Sequence, residues 1–154
     1  MLALYHNDMS SCAQKVRLCL AEKELEWESR HLDLRAGEHQ QDWYVRLNPR
    51  AVVPTLVDDD TVVPESNVIN EYLEDRFPDH ALMPDDAFGR AKVRLWTKQL
   101  DEGVHDAGIA VISFALAFRH QYLNKGEAGK AMLESIPDPI KRERRRDVIE
   151  NGLD

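Results

Sequence analysis

The sequence predicts an α/β domain followed by an all-helical one, and three observations carry that reading. Short apolar runs alternate with amphipathic helical stretches over about eighty residues, the size of a small domain. Pro78-Asp79-His80 and Met83-Pro84-Asp85-Asp86 then form a linker across residues 79–86. Beyond it strand-like alternation stops and Ala, Lys, Arg and Glu dominate. The predicted boundaries are 1–78 and 87–154.

Residues 2–5 read as a buried strand, and a polar turn from His6 to Ser10 leads into a helix over about Ser11 to Glu24. Ala13, Val16, Cys19 and Leu20 recur at helical spacing, with Gln14, Lys15, Arg17, Glu22 and Lys23 on the wet face. Trp27 to Leu34 predicts a second strand, parallel to the first because a helix separates them. A short helix covers Gln40 to Leu47 and is stopped by Asn48-Pro49. Thr55-Leu56-Val57 and Thr61-Val62-Val63 form a hairpin around Asp58-Asp59-Asp60, a solvated turn. Ser66 caps a helix to Phe77 with Val68, Ile69, Tyr72, Leu73 and Phe77 as its stripe. The element order is β-α-β-α-β-β-α. A long helix from Ala87 to Leu123 carries Val93, Trp96, Leu100, Val104, Ile112, Ala115 and Phe118, with Gly103 and Gly108 as bends. A short helix over 127–134 and a basic helix ending at Asn151-Gly152 complete the chain.

With 154 residues and 43% hydrophobic content the chain can bury a core. Its net charge of −8 argues against nucleic acid as the main partner, since phosphate contact needs a basic face. The basic island Lys141 to Arg146 reads as a solvated helix face. No signal peptide or membrane-length apolar run is seen. Cys12 and Cys19 lie about 10 Å apart along one helix, too far for a disulfide, and a reducing, cytoplasmic setting is predicted.

Two motifs point to chemistry. In Val52-Val53-Pro54-Thr55-Leu56, Pro54 stands at a strand entrance. If the Val53–Pro54 bond is cis, the Val53 backbone faces outward to pair with an extended peptide. Glu65-Ser66 places a carboxylate and a hydroxyl at a helix start, where backbone N–H groups collect anions. Together they predict a small, charged, peptide-like ligand. Ser10-Ser11-Cys12 opens the first helix, where a hydroxyl is either a plain N-cap or a donor stabilising a ligand's thiolate. Cys12 is either a reactive thiol or a small buried apolar residue. His39 on its own reads as loop surface. Asp101, Glu102, His105 and Asp106 share a helix at metal-compatible spacing, but no second Glu-x-x-His accompanies them, so no metal is predicted.

Taken together, the chain resembles the cytosolic glutathione transferases. Ser-Ser-Cys before Lys15-Val16-Arg17 resembles the serine-type classes, above all the zeta class of maleylacetoacetate isomerases. Asn48-Pro49-Arg50 through Leu56 and Glu65-Ser66-Asn67-Val68-Ile69 resemble the family's glutathione-domain signatures. Residues 90–102 and 142–154 are similar to bacterial relatives of the β-aryl-ether-cleaving etherases. The resemblance implies a thioredoxin-like first domain, glutathione as cosubstrate, and a homodimer in a detoxifying role. It also implies residue roles. Ser10, flanked by Ser11 and Cys12, would hold the glutathione sulfur as thiolate. His39 would meet the glycyl end, and Val53 with cis Pro54 the cysteinyl main chain. Glu65 and Ser66 would hold the γ-glutamyl end. A second, electrophilic or aromatic substrate would lie between the domains near Glu102, His105 and Ile109. Gln14 and Lys15 replace the Trp and Arg of the zeta pattern, which puts the isomerase activity in question. The helical domain lacks the family's later core helix, so a truncated domain is expected. Conjugation, aryl-ether cleavage and isomerisation compete as reactions. A non-catalytic scaffold and a Cys12-dependent, glutaredoxin-like reductase are the rivals from other classes.

Overall fold

Four short strands and the helices that cover them form the first of two compact units, Met1–Arg90 and Ala91–Asp154, in a computed structural model that describes residues 1–136 and 138–152. In the first unit β1 (Leu2–His6) leads through α1 (Ser11–Glu22) to β2 (Glu28–His31). A 3-10 turn (Glu38–Gln40) and α2 (Asp42–Leu47) precede the hairpin of β3 (Thr55–Asp58) and β4 (Thr61–Pro64), and α3 (Ser66–Arg76) closes the unit. The sheet order is β2-β1-β3-β4, with β1 parallel to β2 and antiparallel to β3.

Register separates the two faces. Leu4, Leu56 and Val63 lie opposite one another across the sheet and point to one side. There they meet Val16, Cys19 and Leu20 of α1 and Ile69 and Leu73 of α3 as one buried core. Tyr5 and Thr55 form the adjacent pair and face the other way, where Tyr5 packs against Trp43 and Tyr44 of α2 with ring centroids 6.0 and 5.9 Å apart.

Several features differ from what the sequence predicts. β2 is only four residues, all exposed, rather than a strand from Trp27 to Leu34. Lys23 is not on the wet face. Its side chain is fully buried at the end of α1, 2.7 Å from Glu74 Oε2, and it donates to the carbonyls of Phe77 and His80. Asp58 is likewise buried, accepting from Tyr72 Oη at 2.9 Å, while Asp59 and Asp60 are the solvated part of that turn. Val68 of α3 is exposed rather than in its apolar stripe.

α4 (Ala87–Gln99) begins in the first unit, and a π-helical stretch Leu100–Ile109, α5 (Ala110–Ala117), α6 (Arg119–Asn124), α7 (Glu127–Glu134) and α8 (Pro139–Asn151) follow. The single helix expected to Leu123 is thus broken. Gly103 and Gly108 both fall in the π-helical stretch, and the backbone leaves helical geometry at Phe118. Trp96, Leu100, Val104 and Ile112, apolar positions of that expected helix, are exposed. The second unit instead buries Phe114, Leu133 and Val148. Gly129 packs on the Tyr122 carbonyl so closely that a Cβ would lie 2.1 Å from it. The basic run is partly a packing face: Arg145 stacks 4.7 Å above the Phe114 ring and Arg146 pairs with Glu134 at 2.6 Å.

Candidate functional site

Ser10 is the N-cap of α1, with extended φ/ψ of −83° and 112°. Its Oγ accepts the Ala13 N–H at 3.2 Å. A cap of this kind uses only the acceptor side of the hydroxyl, which leaves the Ser10 proton to donate. The turn before it is built by Asn7, which is nearly buried. Its side-chain carbonyl accepts Met9 N–H at 2.9 Å, its backbone carbonyl accepts Ser10 N–H at 3.1 Å, and its amide donates to Leu32 O at 2.8 Å. Such an Asx turn was available in the polar run His6 to Ser10, and sequence reasoning passed over it. Ser11 and Cys12 occupy the first turn of α1, both partly exposed. Cys19, about two turns deeper, is buried, and burial pushes its thiol pKa up, with the nearby Lys23 charge opposing.

The sheet register brings three of the expected segments to one end. Tyr5, Thr55 and Pro64 lie side by side across β1, β3 and β4. The loop to Ser10 leaves β1 just past Tyr5, Val53-Pro54 enters β3 just before Thr55, and Glu65-Ser66 follows Pro64 directly. Two strand spacings make this edge about 10 Å wide, and an extended tripeptide is about as long. The Val53–Pro54 peptide is cis. Among the described residues no hydrogen bond engages the backbone of Val53.

Glu65, not Ser66, is the N-cap residue of α3, and its side chain makes no cap bond. Its backbone is held at φ 71° and ψ 115°, a region that residues with a Cβ seldom occupy. Its carboxylate pairs instead with the Arg50 guanidinium. Ser66 is buried at the first position of the helix, and Lys15 Nζ of α1 donates to the next residue, Asn67 Oδ1, at 2.5 Å. The anion-attracting helix start thus has one carboxylate and two cations around it. Arg50 carries a role that the sequence reading left to its motif alone. His39 sits half-buried in the 3-10 turn. Glu102, His105 and Ile109 lie in the π-helical stretch of the second unit. Among the described residues no group of His, Cys, Asp or Glu is arranged to hold a metal ion.

Residues 9–76 match the model of the glutathione S-transferase N-terminal domain. Those residues form a glutathione S-transferase N-terminal domain. Protein LigF of Sphingobium sp. is 45% identical over 103 residues, which cover 66% of this chain and 40% of LigF. Glutathione S-transferase 1 of Dianthus caryophyllus is 42% identical over 90 residues, or 58% of this chain and 41% of that protein. A probable maleylacetoacetate isomerase of Caenorhabditis elegans is 37% identical over 127 residues, 82% of this chain and 55% of that one. The crystal structure of the β-etherase LigF matches with a TM-score of 0.85 at 34% identity, covering 99% of this chain and 64% of that chain. The glutathione transferase architecture is therefore present: a thioredoxin-like first unit followed by a helical region. The chain spans about half the length of these curated relatives, between 40% and 55%. No helix among the described residues is long and apolar enough to cross a membrane.

Proposed function

We propose that this chain is a glutathione transferase that ionises the glutathione thiol at the start of α1 and delivers it to an electrophile. The cysteinyl main chain pairs with Val53 beside Pro54. Glu65 and Ser66 take the γ-glutamyl end, and His39 meets the glycyl carboxylate. The Ser10 hydroxyl donates to the sulfur, helped by the positive end of α1 where Ser11 and Cys12 lie. A thiolate favoured by an aimed hydroxyl and a helix terminus is electrostatic preorganisation, and no covalent enzyme intermediate is needed. Glu102, His105 and Ile109 contribute to the pocket of an apolar or aromatic second substrate. The protein acts in the cytoplasm, as a homodimer, in detoxification.

The observation that carries this reading is the shared strand register that collects Ser10, Val53 and Glu65-Ser66 at one sheet end. The likeness to LigF favours aryl-ether cleavage as a second reading of the same site. There the thiolate forms a C–S bond as the C–O bond to an aryloxide leaving group breaks.

Ser10→Ala tests the reading. Turnover should fall about a hundredfold, the scale of losing one aimed donor, and the bound thiol should titrate at higher pH by its thiolate absorbance. Glutathione affinity should be nearly unchanged. Since the lost cap costs about 1 kcal/mol, the assays belong well below the melting temperature. Wild-type turnover in this variant would refute the role given to the hydroxyl.

A further inference from the structure

The carbonyl oxygen of Val52 is held from the interior by two donors. Tyr44 Oη donates to it at 2.7 Å and Asn48 Nδ2 at 3.0 Å. Neither side chain is more than 1% exposed. Both also reach Thr55 Oγ1, at 2.8 and 2.9 Å, which ties the segment before the cis proline to the first residue of β3. The orientation of the Asn48 amide is fixed by chemistry, since its Oδ1 accepts the Arg50 N–H at 3.1 Å while its Nδ2 faces only acceptors.

The Val52–Val53 peptide is trans, so its C=O and N–H are coplanar and point in opposite directions. A carbonyl drawn inward by Tyr44 and Asn48 therefore turns the Val53 N–H outward at the sheet end. The N–H has no partner among the described residues. An outward, fixed main-chain donor is what an extended peptide needs in order to add to a sheet edge.

We infer that Tyr44 and Asn48 are positioning residues that clamp the Val52 carbonyl from inside and so aim the Val53 N–H at the main chain of the bound thiol tripeptide. This rests on the glutathione-binding reading and deepens it. α2 is then more than a cover for the sheet, because one buried turn of it sets the direction of a ligand contact that neither side chain makes itself.

Tyr44→Phe removes only the hydroxyl and leaves Val52 one donor. Calorimetry with glutathione should give a dissociation constant about fivefold higher. The thiol pKa of the bound tripeptide and kcat at saturating glutathione should stay at wild-type values, the reverse of the Ser10→Ala pattern. Thr55→Val cuts the other acceptor of the same network without touching Val52. It should leave the dissociation constant within about twofold at a comparable loss of Tm, a change smaller than one hydrogen bond. Equal weakening by both variants, or wild-type affinity in Tyr44→Phe, overturns the inference. A measurement on the unaltered chain keeps it exposed even if Tyr44→Phe does not fold. The Val53 amide should exchange with solvent readily in the ligand-free chain and at least about tenfold more slowly with saturating glutathione, and unchanged exchange overturns the inference. If the wild-type chain takes up no glutathione, the underlying reading falls and this one with it. Uptake that is insensitive to Tyr44→Phe overturns this inference alone.

Discussion

Replacing Lys23 by Met removes a buried cation while keeping most of its stem, and the first unit should lose much of its stability. The Lys23 ammonium has Glu74 Oε2 at 2.7 Å and the carbonyls of Phe77 and His80 at 2.9 and 3.4 Å. Glu74 in turn accepts the N–H groups of Leu82 and Met83, each at 3.1 Å, so the pair ties the end of α1 and α3 to the chain that follows. Breaking one side of a buried pair costs about 3–5 kcal/mol. Met fills the stem volume and Glu74 keeps two donors, so the lower end, about 3 kcal/mol, applies. For a unit of this size that is a fall in Tm of about 12–24 °C. Burial opposes ionisation of Glu74, but the bonds from Lys23 and the two N–H groups outweigh it and hold the carboxyl below its usual range. That stabilisation is complete above the unfolded carboxyl pKa of about 4.3 and is lost as pH falls through the lower folded value. The gap between wild type and variant should therefore be full at neutral pH and narrow in acid. Calorimetric melting of both proteins across that range is the assay. The double variant with Glu74→Gln should be less destabilised than the two single changes combined. A Lys23→Met midpoint within about 2 °C of wild type would refute this account, since even 1 kcal/mol would show.

Glu65→Gly relieves a backbone conformation worth about 1 kcal/mol or more of strain. The fold should hold or gain stability in melting experiments while glutathione affinity drops at least tenfold, about the loss of one charged contact. A parallel loss of both would mean that Glu65 serves the fold rather than the ligand. His6 gives a pH dependence of opposite setting to most exposed histidines. Burial chiefly, then the Arg17 charge and His31, lower its pKa against the pull of Asp8. A histidine kept neutral by the fold adds stability above about pH 6.5, which is lost as pH falls through the lower folded value. Tm should therefore decline as pH drops from 6.5 toward 5, about the range in which an ordinary histidine takes its proton. His6→Gln should flatten that decline, and an unchanged slope in the variant would assign it elsewhere.

The fold was legible where one face of an element is buried. Ala13, Val16, Cys19 and Leu20 recur at helical spacing and all four are buried. The order of strands and helices in the first unit followed from similar periods and from the turn residues between them. Lys23 was misread because charge ordinarily marks the wet face, and only tertiary structure supplies a buried carboxylate and two carbonyls to receive it. The helix expected from Ala87 to Leu123 was misread because apolar spacing does not reveal whether a stripe has anything to pack against, nor where a π-helical stretch will re-phase it. At the candidate site, Ser10, Val53-Pro54 and Glu65-Ser66 were visible as local turn and helix-start signals. Their meeting at one sheet end was not, since it depends on strand register across β1, β3 and β4. Tyr44 carried no local signal, and Asn48 and Arg50 were read only as a helix stop and a motif, because their side-chain partners, the Val52 carbonyl and Glu65, are set by the folded chain.

The most direct measurement is an amide NMR titration of the chain with glutathione, read residue by residue. The expected result is saturable change at Ser10 to Cys12, Val53 and Glu65 to Asn67, three stretches that neighbouring strands bring together. No response to the tripeptide, or a response confined to other segments, would contradict the claim that this edge is its binding site.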